Sequence, residues 1–306
     1  MALISVVTAT YNRANVLRLS IDSLRAQTFT DWELIVVGDA CTDDTEDVVA
    51  SFRDPRMRFV NLPHNSGDQA VPNNHGARLA RGEYLAILNH DDLWTRDHLA
   101  TALAALRESQ ADLVFTITIV IHHLDGRPLL MGMSSNGSYE PRGFVPASSW
   151  LMRRTVAEAV GPWRRAKEIF ATPSQEWLFR ARKQGHRLVA VGKPTVIALH
   201  SGPRRNSYAN RTVEENEQYA KLLRDDPELV ARLMTQVAER GPEPAPGGYA
   251  RLKRAVRILL ERASLVFGEH PTTLYHLVRY RRRGGFIDRL HRIRGLPPLP
   301  RRNDHG

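Results

Sequence analysis

Four short apolar runs divide the first 92 residues, and the fourth stops abruptly on two adjacent carboxylates. The runs are Leu3 to Thr8, Trp32 to Val37, Met57 to Leu62 and Glu83 to Leu88, the last continuing as Asn89-His90-Asp91-Asp92. Runs of this length, rich in β-branched residues and bounded by turn formers, read as buried strands. Helical patterns separate them. Val16, Leu17, Leu19, Ile21 and Leu24 recur at helical spacing after the first run. Asp43 with Glu46 has the spacing of a capping box for a second helix running to Phe52. A third helix carries Asn74, Ala77, Leu79 and Ala80, with Gly82 expected as its C-terminal cap. Strands alternating with helices imply right-handed crossovers and a mostly parallel α/β sheet. In open sheets of this kind ligands lie beyond the carboxyl ends of the strands. Asp91 and Asp92 therefore mark a candidate site, since carboxylate oxygens suit a hard divalent cation that can in turn hold a diphosphate. The bland alternative is that Asp92 or Thr95 caps the helix that follows.

Beyond Asp92 the pattern changes. Thr95 to Ser109 reads as a helix, Asp112 to Ile121 as a strand, and His122 to Met133 as a hairpin around Asp125-Gly126. A short strand at Ser148 to Met152 precedes a helix from Arg154 to Val160. Thr172-Pro173-Ser174-Gln175 is a helix start, with Thr172 as N-cap, Pro173 in the first position and Gln175 completing the box. Leu188 to His200 is extended again. One or two helices fill 212–240, a Pro/Gly linker occupies 241–248, and Tyr249 to Phe267 forms an amphipathic basic helix. Thr272 to Arg283 and Phe286 to Arg294 are shorter helices before the tail.

Composition narrows the function. The 306 residues are 42% hydrophobic and carry a formal charge of +10, which favours acidic partners: phosphorylated substrates, anionic lipid or nucleic acid. Nothing resembles a nucleic-acid-binding module, so no nucleic-acid partner is expected. A single cysteine, Cys41, excludes an intrachain disulfide, and it reads as a small loop residue rather than a nucleophile. No signal peptide or membrane-spanning run is evident. The expectation is a cytoplasmic protein, at most peripheral at the inner face of the membrane. The turn after the first strand, Thr10-Tyr11-Asn12-Arg13, lacks the glycines that NAD or FAD need there, and no phosphate-binding GxxxxGK[ST] loop occurs.

The strand ends carry the chemistry. Tyr11 can stack on a base, Asn12 and Arg13 can meet polar parts of a nucleotide or simply serve the turn, and Asp39 can accept from a base N–H or a ribose hydroxyl. In order, SVVTATYNR (5–13), VGDACTDDT (37–45) and GDQAVPNNHGARLARGEYLAILNHDD (67–92) resemble the three motifs of glycosyltransferase family 2. SSWLMRRTVAEAVGPW (148–163) and SQEWLFRARKQG (174–185) are similar to its later strand–helix and acceptor-side helix. The resemblance covers the first two-thirds of the chain. It implies the GT-A fold: a Rossmann-like, mostly parallel central sheet flanked by helices, here with a C-terminal helical extension. The implied division is a catalytic domain, 1–211, with a donor half at 1–92 and an acceptor half at 93–211, followed by the helical region at 212–306.

Carried over by position, the resemblance assigns donor binding to Ala9, Tyr11, Arg13, Asp39, Asn73, Asn89 and His90. It assigns metal binding to Asp91 and His200, and the base to Glu176. The implied cofactor is Mn2+ or Mg2+, and the implied reaction is inverting transfer from a nucleotide-diphosphate sugar to a hydroxyl on a saccharide, lipid-linked or small-molecule acceptor. Uridine is the favoured base, with guanosine and thymidine left open. Three departures stand out: Asn89 replaces the first acid of the DxD motif, Asn73 replaces an arginine, and Pro173-Ser174 replaces an acid pair. They motivate a second reading, a catalytically silent nucleotide-sugar-binding or scaffold protein. A third, a sugar-1-phosphate nucleotidyltransferase, lacks its Gly-rich, Lys-containing N-terminal loop. Trp150 and Trp163 could offer sugar-stacking faces, whereas Trp177 reads as core. The basic helix at 249–267 could lie on an anionic membrane, or pack on the body or on a second copy in a homo-oligomer; packing is the preferred expectation.

Overall fold

The computed structural model describes residues 2–122, 125–199, 205–210, 213–240 and 247–299. The first half alternates as expected: β1 (Ile4–Thr10), α1 (Ala14–Arg25), β2 (Trp32–Gly38), α2 (Thr45–Ser51), β3 (Met57–Asn61), α3 (Ala70–Leu79) and β4 (Tyr84–Ile87). These strands lie in the order β3-β2-β1-β4, all parallel. Ile4 is opposite Trp32 on one side and Tyr84 on the other, and Thr10 is opposite Gly38. The segments that leave the strands, at Tyr11, Asp39 and Leu88, therefore emerge along one edge of the sheet.

The chain continues through β5 (Asp92–Trp94), α4 (His98–Ser109), β6 (Leu113–Ile121), β7 (Pro128–Met131), β8 (Trp150–Arg153), α5 (Arg154–Val160), α6 (Pro173–Lys183) and β9 (Leu188–Leu199). The sheet extends from β4 as β8-β6-β9-β5, with β7 also on β6. Here β8 runs antiparallel to both neighbours, β9 runs parallel to β6, and β5 and β7 are antiparallel. The sheet is thus parallel across its first four strands and mixed beyond them.

Both faces are covered, which is why the strands are continuous apolar runs rather than alternating ones. On one face Leu17, Ile21 and Leu24 of α1 and Leu99 and Leu106 of α4 meet Val6, Leu34, Val36, Ala86 and Val114. On the other, Ala70 of α3, Val156 of α5 and Leu178 of α6 meet Val7, Ile35, Val37, Leu85 and Ile87. A Cβ on Gly76 would collide with Val7, so this glycine lets α3 lie flush on β1. Trp150 is fully buried, with ring centroids 5.9 Å from Trp177 and 5.6 Å from Trp163, so all three indoles belong to the core and none offers a sugar platform.

After α7 (Ser207–Asn210), the 212–240 region resolves into α8 (Glu214–Asp225) and α9 (Leu229–Ala238). Ala220, Leu229 and Leu233 share a core with Ile119, Ile121, Ile197 and Leu199. Residues 241–246 of the expected linker lie outside the described residues. Then come α10 (Gly248–Val266), α11 (Thr272–Tyr280) and α12 (Gly285–Arg294). Among the described residues no helix is long and apolar enough to cross a membrane.

Several cap expectations are corrected. Asp43 forms no capping box: its carboxylate receives Ala14 N at 3.1 Å, serving the start of α1, and the hydroxyl of Thr45 at 2.5 Å. Helix α3 ends at Leu79, and Gly82 is small because a Cβ there would sit 2.7 Å from Ser5 N. Thr172 is the N-cap of α6 but makes no side-chain cap bond, and Gln175 bonds the backbone of Val145 instead of closing a box. Neither Asp92 nor Thr95 caps α4: Asp92 begins β5, and Asp97 is the N-cap.

Candidate functional site

A cavity of about 910 Å³ opens beyond the carboxyl ends of β1, β2 and β4. Its volume is in the range of sites that enclose a small-molecule ligand. Ala9, Tyr11 and Asp39 line it from the first two strands, and Asn89, His90, Asp91 and Asp92 from the segment after β4. The wall facing them is made by Ser174 and Gln175 at the start of α6, Tyr208 of α7, Tyr275 and Arg279 of α11, and Arg294 of α12.

Asp39 is buried at the end of β2, where it grips the turn before α3. Its carboxylate accepts from Ser66 N at 2.9 Å, Ser66 Oγ at 3.0 Å and Gly67 N at 3.1 Å. Burial pushes its pKa up, against the lowering effect of those hydrogen bonds. Asn12, in the left-handed region with φ 49°, donates nothing towards the cavity: its Oδ1 accepts from Thr42 N at 2.8 Å, stitching the two strand-end loops together. Turn chemistry accounts for Asn12. Cys41 is half-buried in the same loop, and burial raises its thiol pKa, as befits an unactivated residue.

The two acids after β4 divide the work. Asp92 is buried: Ser148 Oγ donates to its Oδ2 at 2.5 Å and Asn89 Nδ2 at 2.9 Å. Burial, with the charge of Asp91 beside it, pushes its pKa up to about 7. Asn89, where an acid was expected, thus orients the inner carboxylate. Asp91 is half-buried on the cavity wall, and its backbone carbonyl accepts from Asn216 of α8 at 3.3 Å. His90 is held by Nδ1 against Ala9 O at 3.1 Å and by Nε2 against the Tyr208 hydroxyl at 3.4 Å. Donation by Nδ1 to the carbonyl leaves Nε2 to accept from the phenol. Burial pushes the His90 pKa down; the charge of Asp91 opposes this, while Arg13 and Arg294 add to it.

Other expected residues stand elsewhere. Arg13 is buried behind the wall, donating to Ser207 O at 2.7 Å and lying 5.1 Å from the Tyr208 ring centre, so it supports the tyrosine instead of lining the cavity. Asn73 is buried in α3 off the wall, with its Oδ1 unpaired, while its neighbour Asn74 braces the backbone of Trp163 with bonds of 2.9 and 2.8 Å. Glu176 is also off the wall: Arg164 and Arg180 each approach its carboxylate at 3.3 Å. His200 lies outside the described residues.

No motif points to Tyr208 or Arg294. Burial raises the Tyr208 pKa, and Asp91, Arg13 and Arg294 all reach it electrostatically. The Nε atoms of Arg13 and Arg294 are buried without a hydrogen-bond partner. The density of arginine near the C-terminus was the only signal that could have pointed to Arg294.

Among the described residues no three His, Cys, Asp or Glu side chains converge as a metal-holding set. A cation here would rest on Asp91 alone from the acid pair, because the Asp92 Oδ2 is already engaged. One carboxylate plus diphosphate oxygens and water is a normal arrangement for a substrate-bound divalent ion.

A parallel α/β half-sheet whose strand ends present an aromatic, an acid and an acid pair to one cavity defines the GT-A class of nucleotide-sugar transferase folds. Solved structures share the fold. Staphylococcus aureus TarS in complex with UDP-GlcNAc superposes with a TM-score of 0.57 at 20% identity, over 78% of this chain and 71% of that one. A Pyrobaculum calidifontis mannosyltransferase in complex with GDP-Man and Mn2+ gives 0.54 at 17% identity, over 90% and 86%. At these identities the likeness shows the fold alone. The profile of glycosyl transferase family 2 matches residues 5–161, just over half of the chain. The chain belongs to that family. Among curated relatives, a putative teichuronic acid biosynthesis glycosyltransferase of Bacillus subtilis is 35% identical over 129 residues, covering 42% of this chain and 50% of the relative. An Escherichia coli UDP-Glc:alpha-D-GlcNAc-diphosphoundecaprenol beta-1,3-glucosyltransferase is 29% identical over 103 residues, covering 34% and 41%. The chain thus spans half or less of the length of these relatives.

Proposed function

We propose that this protein transfers a sugar from a nucleotide-diphosphate donor, a UDP-sugar in the first instance, to a hydroxyl of a saccharide or lipid-linked acceptor, with inversion at the anomeric carbon. The observation that carries the reading is the convergence of Tyr11, Asp39 and Asp91 on one cavity edge from three adjacent parallel strands. Tyr11 stacks on the base, Asp39 and its turn hold the nucleoside, and Asp91 carries the divalent ion, Mn2+ or Mg2+. When bound, that ion offsets the charge of the leaving diphosphate. Arg294 adds a protein cation to the same cavity wall, and His90, neutral and fixed between Ala9 and Tyr208, shapes the floor. Glu176 is the proposed base for the acceptor hydroxyl. To act, it must exchange its contact with Arg164, the more exposed of its two arginines, for the acceptor. The UDP and lipid-linked chemistry named for the relatives supports the donor and acceptor classes. Such a protein works in the cytoplasm, self-associated or at a membrane surface.

Calorimetric binding of UDP, GDP and dTDP, each with and without Mn2+, to the parent and to Asp91→Ala tests the donor site. Metal-dependent binding of one nucleotide, reduced at least about tenfold by the substitution, is expected. Binding of none would leave the silent-scaffold reading, which the absence of an α6 carboxylate from the cavity wall favours.

A further inference from the structure

Helix α10 is built inside out. A helix of a globular body turns its apolar stripe inwards. The buried side chains of α10 are instead Glu261 and Ser264. Leu252, Leu259, Val266 and Phe267 are 61%, 67%, 84% and 73% exposed. At 3.6 residues per turn these four fall on one stripe with Tyr249 and Val256. The inner face is committed: Glu261 accepts from Arg257 at 2.6 Å, and Ser264 Oγ accepts from Leu274 N of α11 at 3.1 Å. Every residue from 247 to 259 is exposed, so the first half of the helix stands clear of the body. The packing expected for this helix is thus confined to the face that carries Glu261 and Ser264. What it offers to solvent is an apolar stripe.

Charge decides what covers that stripe. The helix carries Arg251, Lys253, Arg254, Arg257 and Arg262 against one acid, Glu261. On the helical wheel Lys253 borders one edge of the stripe, and Arg251 and Arg262 lie beyond the other. A two-fold contact between copies would set the same cations against each other. An anionic lipid surface attracts all of them. We propose that α10 docks in the interface of an anionic bilayer, its stripe sunk about 5–10 Å to the acyl boundary and its basic flanks among the phosphates. The opposite face of α10 and the adjoining α11 line the cavity through Arg257, Glu261, Tyr275 and Arg279. Docking therefore places the cavity wall one helix away from the membrane surface. This goes beyond the transfer reaction and does not require it.

The test is co-sedimentation of the full chain with phosphatidylglycerol-containing vesicles and with pure phosphatidylcholine vesicles, in the absence of any nucleotide sugar. The parent is expected to pellet with the anionic vesicles and to be released by salt. Leu252→Glu combined with Leu259→Glu is expected to weaken binding at least about tenfold at unchanged circular dichroism and melting temperature. Lys253→Glu combined with Arg262→Glu leaves the stripe intact and is expected to weaken it as well. Equal binding by the parent and both double variants would overturn the proposal, as would no binding to anionic vesicles. A concentration-dependent dimer in sedimentation velocity that the leucine double variant dissolves would overturn it too, assigning the stripe to a second copy. None of these outcomes bears on nucleotide binding.

Discussion

The first four strands and the last three helices bury opposite kinds of side chain. In the first four strands Val6, Val7, Leu34, Ile35, Val36 and Ile87 are sealed between helices on both faces of a parallel sheet. From α10 to α12 the buried groups include Ser264, His270, His276, Asp288 and His291, while Leu252, Leu259, Val266 and Phe267 look outwards. Hydrogen bonds attach that region to the rest: His276 Nδ1 to Phe170 O at 2.5 Å, Lys183 Nζ to Gly268 O at 2.7 Å, and Gly284 N to Ile169 O at 3.0 Å. Removing apolar surface from water is the larger driving force per residue, and a satisfied hydrogen bond adds about 1 kcal/mol net. The comparison teaches that the first region forms because of what it excludes from water. The second forms because of what it touches, and its apolar stripe faces solvent.

Paired truncations are the bluntest way to break this contrast. Trp150→Ala, at the start of β8 with its indole in the core, is expected to cost about 3–5 kcal/mol. Val266→Ala, on the exposed stripe, is expected to stay within about 0.5 kcal/mol. Urea-unfolding midpoints of the two variants check this, and a comparable loss at Val266 would mean that the stripe is covered in solution.

Helix α6 borders both regions, and Glu176 on it sharpens the comparison next. Glu176→Gln is expected to lower transfer by about 10²–10³-fold while leaving nucleotide affinity unchanged, as removal of a general base does. Unchanged turnover would make Glu176 a structural anchor for Arg164 and Arg180 and take the base away from α6.

Arg294 is where α12 reaches the cavity, so it measures whether the two regions share a function. Arg294→Ala is expected to weaken nucleoside diphosphate binding about tenfold and nucleoside monophosphate binding much less, because a charge-assisted contact to the terminal phosphate is lost. Equal losses for both ligands would show a general effect on the cavity rather than a contact with the diphosphate.

The same contrast explains what could be read from the chain. Leu3 to Thr8 and Trp32 to Val37 announced β1 and β2 to within about two residues, because a strand buried on both faces must be apolar at every position. Tyr11, Asp39 and Asp91 were legible as neighbours on one cavity edge because a parallel sheet delivers its strand ends together. The three residues of β5 were missed, since periodicity cannot be recognised over so short a run. The antiparallel insertion of β8 between β4 and β6 was also hidden, because sheet order is not sequence order. Asn73 and Glu176 were placed by motif position, yet a turn of helix decides which face a side chain takes, and both sit off the cavity wall. Tyr208 meets His90 from 118 residues further along, and no local pattern announces a contact of that range.

A pH-dependent test reads the buried carboxyl at the centre of the site. The Asp92 pKa is raised to about 7 in the fold from an ordinary 3.8, chiefly by burial. The folded state therefore holds a proton that the unfolded chain releases, and the stability this confers is present below about pH 4 and lost as the pH rises through about 7. His98 works the other way. Fully buried, stacked on Trp94 and bonded to Thr195, it has a pKa lowered to about 3, so it adds stability as the pH rises from about 3 towards 6.5. The two trends offset each other in the parent, and its own pH–stability curve says little about either group. The difference between the parent and Asp92→Asn isolates the first. The amide oxygen can still accept from Ser148 and Asn89, and it does not ionise. Relative to the parent, the variant should gain stability steadily between pH 4 and 7, by about 1.4 kcal/mol per pH unit while Asp92 stays protonated in the fold. Thermal unfolding across that interval measures the gain. A difference that stays flat with pH would mean that Asp92 is ionised in the folded protein throughout, and that the acid pair carries two charges rather than one.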